Sequence, residues 1–307
     1  MSQPTESNLE PRGSAVFLDT TIQIARVVHS PETKARIEAQ LREYDFTVTS
    51  LGVRQEFKRR LLREADYLLR KFVEHHSFER VMRDMQYLPP QQVRKKNICL
   101  DLLSTIDETD GDADRADRAI LILRELLLDG LADFDDQVGQ VVRDSGCGCA
   151  IANIRRDGSK FTFGPRNCSE CTRCGVTTFF TENSARIEAI ANALDAVSEK
   201  DLTTELKTIR NFAKRFLASE SAATDSHPCL KLGDLLIALE SAGIPTFYTM
   251  NSKESRHLCP ALQQRLVVRR HHPKHDDEVV AVQADTKEPP PARPVDAPPG
   301  EPKSRPD

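Results

Sequence analysis

Residues 230–254 read LKLGDLLIALESAGIPTFYTMNSKE, and the fold turns on them. Leu232, Leu235, Leu236, Leu239 and Ala242 recur at helical spacing. Gly243 stops that helix and Pro245 follows at once. Residues 244–249, IPTFYT, are apolar, aromatic and threonine-rich, a composition suited to a buried strand. Two acids remain. Asp234 sits in the first turn of the apolar helix, and Glu254 lies beyond the strand in a loop with Thr249, Asn251 and Ser252. An acid at each end of one αβ unit is a candidate metal site if other acids converge on it.

Working outward, residues 14–19 (SAVFLD) form a short apolar strand ending in Asp19. Thr20 and Thr21 follow, and Ile22, Ala25 and Val28 share a helical face. Ser30-Pro31 starts a second helix, with proline at its first position. FTVT at 46–49 is a second strand, and Ser50 caps a long helix carrying the stripe Phe57, Leu61, Ala65, Leu68 and Phe72. Residues 265–269 (RLVVR) close the pattern. Strands separated by helices predict an α/β fold with a parallel sheet covered on both faces. In such sheets the working site lies beyond the carboxyl ends of the strands. Asp19, Glu56, Asp234 and Glu254 can all reach that edge. Each has a plain structural reading alone: a helix cap for Asp19, a dipole-favoured acid for Asp234, solvated residues for the other two. Together they make a candidate metal site.

The 307 residues carry a net charge of −4, so any nucleic-acid binding must use local basic patches. Tryptophan is absent and aromatics are 6%, which argues against base-stacking platforms as the main mode of recognition. The N-terminal residues are polar and acidic, unlike a signal peptide, and no apolar run reaches the ~18 residues of a membrane span. The expectation is a cytoplasmic chain, in which the clustered members of its eight cysteines bind metal.

The chain resembles the PIN-domain nucleases in VFLDTT at 16–21, VTSLGVRQEF at 48–57, GDLLIALESAGIPTFYT at 233–249 and TMNSKE at 249–254. The resemblance covers residues 14–75 and 225–270. It implies a three-layer, RNase H-like parallel sheet flanked by helices, with acids holding one or two Mg²⁺ or Mn²⁺ ions. It also implies an endonuclease that hydrolyses phosphodiester bonds, usually in RNA, with DNA as the other substrate. Two metals about 4 Å apart activate a water and stabilise the leaving oxygen. Under this resemblance Asp19 and Asp234 bind metal directly. Glu56 and Glu254 act through water, and Thr249 and Asn251 bind a phosphate or orient Glu254. An inhibitor or antitoxin-like protein and a homodimer are the partners it brings to mind. Glu254 departs from the pattern, where aspartate is commoner.

The residues between the two halves form an insertion. Residues 1–13 read as a flexible leader and 76–143 as mostly helical. Asp110, Asp112, Asp114 and Asp117 make a solvated acidic loop, lacking the glycine and glutamate of a calcium loop and with no strand after it. Residues 144–182 hold Cys147 and Cys149, then Cys168, Cys171 and Cys174, around Asp157-Gly158, a hairpin signal. Four of these five thiols would suffice for a structural Zn²⁺, with an iron–sulfur cluster as the alternative. Arg155 and Arg156 on the hairpin are candidate phosphate contacts, as are Arg54, Lys58, Arg59, Arg60 and Arg63 on the third helix. Residues 183–224 read as a helical connection and 271–307 as a proline-rich disordered tail. The rival reading is a non-catalytic nucleic-acid-binding or adaptor protein with a structural zinc.

Overall fold

The computed structural model describes residues 14–106, 111–158, 160–164, 174–218, 232–269 and 278–280. In chain order the first elements are β1 (Ala15–Leu18), α1 (Thr20–Val28), α2 (Pro31–Leu41), β2 (Phe46–Ser50) and α3 (Leu51–Phe57). A π-helical turn, Lys58–Leu62, joins α3 to α4 (Arg63–His75). Then come α5 (Phe78–Gln86), α6 (Val93–Leu103), α7 (Asp112–Asp136) and β3 (Gln140–Val142). The cysteine region holds α8 (Gly148–Ile151), β4 (Arg155–Asp157) and β5 (Lys160–Thr162). It is followed by α9 (Val176–Glu182), α10 (Ser184–Asp195) and α11 (Thr204–Leu217). The chain returns to the sheet through α12 (Gly233–Ser241), β6 (Thr246–Thr249), α13 (Ser252–Ala261), β7 (Arg265–Val268) and β8 (Glu278–Val280).

The main sheet has the order β3-β2-β1-β6-β7-β8. Its first five strands are parallel, and β8 pairs antiparallel with β7. β1 lies in the middle and is buried along its whole length, as an apolar run with no polar alternation requires. Alternate strand residues face opposite layers. Phe17, Val48, Phe247, Leu266 and Val268 pack into one core with α3 to α7. Val16, Leu18, Tyr248 and Val267 pack into another with Ile22, Ala25, Ile37 and Leu41 of α1 and α2. Phe17 and Phe247, register partners on β1 and β6, stack with ring centroids 5.2 Å apart. The result is an α/β fold with a parallel sheet between helical layers.

The expected strands and helices of both outer segments form, with the helix stop at Gly243, whose φ is 97°. Two expectations need correction. The stretch 76–143 ends in β3, which pairs parallel with β2, so a strand does follow the acidic segment. It was invisible because three residues, Gln140–Val142, carry too little pattern to be recognised before their partner is known. Within the stretch read as a disordered tail, Glu278–Val280 form β8. The leader and the rest of the tail lie outside the described residues.

α12 is bound to the start of α3 by one buried acid. Glu240 is 3% exposed; its Oε2 accepts the Gly52 amide at 2.8 Å and its Oε1 the Ser145 hydroxyl. Gly52 N–H is one of the orphan donors at a helix start, so the carboxylate serves it as a cap from another element. A Cβ on residue 52 would meet Glu240 Oε2 at 2.6 Å and Ile237 Cγ1 at 3.0 Å, so only glycine allows this approach. Burial pushes the Glu240 carboxyl from 4.5 up to about 7, against the downward pull of these hydrogen bonds. The folded state therefore holds this proton more tightly than the unfolded chain. The contribution of Glu240 to stability is full below about pH 4.5 and is lost as pH rises through about 7. Unfolding free energies measured by denaturant between those pH values should fall with pH in the parent and fall less in Glu240→Gln. Glu240→Leu, which strands two buried donors, should cost on the order of 2–4 kcal/mol.

Candidate metal centre at the carboxyl edge of the sheet

The parallel strands all end on one edge. The chain leaves β1 towards β2 and β3, then comes back to place β6 on the other side of β1. This reversal of strand order makes a crevice between β1 and β6, the place where such sheets bind ligands. Asp19 follows β1 directly and Glu254 lies in the first turn of α13, after β6. α12 leads into β6, so its N-terminus and Asp234 stand at the same edge. Glu56 comes from α3, which begins where β2 ends.

A cleft of about 740 Å³ is lined by Glu56, Asp234, Asn251 and Glu254, among others. A smaller cavity lined by Asp19 shares Asp234, Asn251 and Glu254 with it. Asp234 shows the convergence in its ionisation. Its carboxyl is raised to about 7, first by burial and then by the charges of Glu56, Asp19 and Glu254. Three of the four predicted acids thus line the cleft, and Asp19 lines the cavity beside it.

Each acid but Asp234 is held by a named neighbour. The Asp19 amide donates to Tyr248 O at 3.0 Å, fastening the end of β1 to β6. Its side chain makes no cap hydrogen bond to α1. Instead Asp19 Oδ2 accepts the hydroxyls of Thr21 at 2.8 Å and Thr249 at 2.6 Å. Capping therefore does not explain this aspartate. Glu56 Oε2 accepts the Thr20 hydroxyl at 2.5 Å and Oε1 pairs with Arg60 one turn on. Burial raises the Glu56 carboxyl and Arg60 opposes the rise. Asn251 Nδ2 donates to Glu254 Oε2 at 2.9 Å, and Asn251 Oδ1 caps α13.

The donors are carboxylate oxygens with hydroxyls and an amide behind them, a set suited to a hard divalent cation. Among the described residues, no three His, Cys, Asp or Glu are grouped tightly enough to enclose an ion as they stand.

Three expectations about substrate contacts are overturned. Arg54 is 4% exposed and pairs with Asp135 at 3.0 Å, with further bonds to Ala150 O and Asn153 Oδ1. Lys58 is 1% exposed; its ammonium donates to Cys149 O at 2.7 Å and Ala152 O at 2.5 Å, and burial lowers its pKa to about 8. Neither touches the cleft. Both fasten the α3–π-turn ridge to α8, because their positions point inward on a helix buried on two sides. Thr249 is fully buried, so it orients Asp19 rather than meeting a phosphate. Asn251 does line the cleft and does hold Glu254, as expected. Arg155 and Arg156 are exposed on β4 and are not part of the cleft wall. The wall's cations are Arg59, Arg60, Arg63 and Arg94. Sequence reasoning missed Arg94 and Glu240; an acid at the end of an apolar helix was a signal for the latter.

In the cysteine region the Asp157-Gly158 hairpin forms, with Gly158 at φ 59°. Gly175 N donates to Gly146 O at 3.2 Å, so the segments carrying Cys147 and Cys174 are neighbours. Cys147 and Cys149 are buried in an apolar cluster with Val176 and Phe179, and Cys174 packs against it. Cys168 and Cys171 lie outside the described residues. Asp112 Oδ1 accepts the Glu79 amide at 2.7 Å, capping the start of α5; Asp112, Asp114 and Asp117 do not line the cleft, and Asp110 lies outside the described residues. No helix among the described residues is long and apolar enough to cross a membrane.

Comparison with known proteins gives no match: no family model, curated protein or solved structure matches this chain.

Arg54→Ala should lower the unfolding free energy by on the order of 2–3 kcal/mol, less than a fully buried pair because Asp135 is partly exposed. Arg59→Ala should leave the melting temperature within about 1 °C of the parent, since surface changes cost little. Equal thermal melts for both variants would remove the structural role assigned to Arg54.

Proposed function

We propose that the chain is a metal-dependent endonuclease of the PIN type, hydrolysing phosphodiester bonds in RNA with Mg²⁺ or Mn²⁺ at the carboxyl edge of its sheet. One observation carries this reading: Glu56, Asp234 and Glu254 line one cleft, and Asp19 lines the small cavity that shares Asp234 and Glu254 with it. Partly buried acids that raise one another's pKa, as Glu56, Asp19 and Glu254 do for Asp234, are relieved by a bound cation. Asp19 and Asp234 would hold the ion; bound there, it supplies Lewis-acid stabilisation of phosphoryl charge and a water of lowered pKa. Thr21 and Thr249 keep the Asp19 carboxylate aimed from the end of β1. Asn251 sets Glu254, and Thr20 sets Glu56, so each acid orients water by a fixed oxygen. The Arg60–Glu56 pair covers Glu56 until an anion draws Arg60 away. In the alternative of a non-catalytic nucleic-acid-binding protein, that pair is permanent.

A structural Zn²⁺ on four of Cys147, Cys149, Cys168, Cys171 and Cys174 completes the reading. It is supported by the Gly146–Gly175 joint, which brings two of the cysteine segments side by side. Elemental analysis of the purified chain should give about one zinc per chain and no iron.

Asp19→Asn and Asp234→Asn should each lower Mn²⁺-dependent cleavage of a labelled RNA by about 10³-fold while keeping the circular-dichroism spectrum of the parent. In the parent, Mn²⁺ at about 100 times its Kd should add about 2.7 kcal/mol of stability, and Asp19→Asn should remove most of that gain. Undiminished cleavage by both variants would exclude the acids as the catalytic centre. A stabilising ion without any cleavage would favour the adaptor alternative.

A further inference from the structure

A separate cavity of about 150 Å³ is lined by residues of α1, α3 and α7 and shares none of them with the cleft. Phe57 and Phe134 line it, their ring centroids 5.0 Å apart, and Val27 and Leu126 add aliphatic surface. Its polar lining includes Gln23 and Arg26, three residues apart on α1, and Asp133 near the end of α7.

Gln23 is the unusual member. It is 1% exposed, and a buried amide costs free energy unless its hydrogen bonds are made. Arg26 Nη1 donates to Gln23 Oε1 at 3.2 Å and to Gln137 O at 3.1 Å. The first of these bonds fixes which end of the amide is oxygen. Gln23 Nε2, with two N–H donors, has no hydrogen-bond partner among the described residues. Arg26 is itself neutralised by Glu38 at 2.8 Å, and Asp133 brings a further negative charge to the lining. The cavity therefore combines an unused donor with no excess of positive charge, so it suits an acceptor on an uncharged molecule better than an anion.

Size and surface narrow the class further. A water occupies about 30 Å³ of liquid and needs about two to four polar partners, which walls of Phe57, Phe134, Val27 and Leu126 do not supply. An apolar cavity of about 150 Å³ holds one benzene-sized ring.

We propose that this cavity binds an uncharged one-ring amide or carbonyl compound. Its ring lies against Phe57 and Phe134, and its carbonyl oxygen accepts from Gln23 Nε2. The site is independent of the nuclease reading, because none of its residues belongs to the acidic cleft.

The test is ligand-observed saturation-transfer NMR on the full chain with benzamide as the probe and toluene and benzoate as comparators. Benzamide has nine non-hydrogen atoms and should bind with a Kd of about 1–10 mM. Gln23→Leu should weaken benzamide about 5–10-fold, the worth of one net hydrogen bond, and leave toluene binding undiminished. Val27→Phe, which fills the space from α1, should remove binding of both. Benzoate should bind the parent at least about fivefold more weakly than benzamide. In the parent alone, the Gln23 side-chain amide resonances should move as benzamide is added, a readout that depends on no variant. No saturable benzamide signal up to about 20 mM, twice the weakest expected Kd, would overturn the proposal and leave the cavity to water. So would fixed Gln23 amide resonances during a saturable titration, parental benzamide affinity in Gln23→Leu or Val27→Phe, or benzoate binding more tightly than benzamide.

Discussion

Everything at the candidate site depends on strand polarity. Because the strands from β3 to β7 run the same way, every one of them ends at the same edge of the sheet, and the helices that lead back into strands begin there. Asp19 and Glu254 reach it by following strands, Asp234 by opening a helix that precedes one. An antiparallel arrangement of the same elements would have scattered these acids over two edges. β1 supports the arrangement energetically, since a central strand buried on both faces cannot shift register without exposing a row of large apolar side chains.

The second constraint is the balance of charge around the cleft. Four acids share a partly buried space, and Asp234 carries the cost most visibly. The chain fixes them in place with uncharged donors: Thr20, Thr21, Thr249 and Asn251 supply hydrogen bonds without neutralising the acids. Only Glu56 has a cationic partner. Away from the cleft, the buried charges work differently. Arg54, Lys58 and Glu240 all end on the residues from Ser145 to Asn153, so the cysteine region is wired into the helix that bears Glu56. The middle of the chain is therefore continuous with the sheet domain in its packing, through β3 and through the cluster that Leu51 and α12 share with α9 to α11.

Much of this was legible beforehand because it is local. Short apolar runs marked β1, β2, β6 and β7 and period-3.6 patterns the helices between them, and the stripe Phe57, Leu61, Ala65, Leu68 and Phe72 is buried throughout. The acids at element ends followed from the rule that parallel sheets work at one edge. The errors were all non-local. Arg54 and Lys58 looked like surface cations because nothing near them in sequence tells that α8 and Asp135 cover them. Thr249 looked available to substrate until the Asp19 side chain was placed against it. β3 and β8 are three residues each and exist as strands only through their pairing.

The sequence by itself determined the longer helices, the strands β1, β2, β6 and β7 and their parallel order, since apolar runs, helical periodicity and caps are written within a few residues. Tertiary structure alone decided which charges are buried, which arginines face the cleft, and that Glu240 holds two distant segments together. Those outcomes depend on which side of a helix another element covers, and that is fixed by contacts between residues far apart in the chain, such as Gly52 and Glu240 (|i−j| = 188).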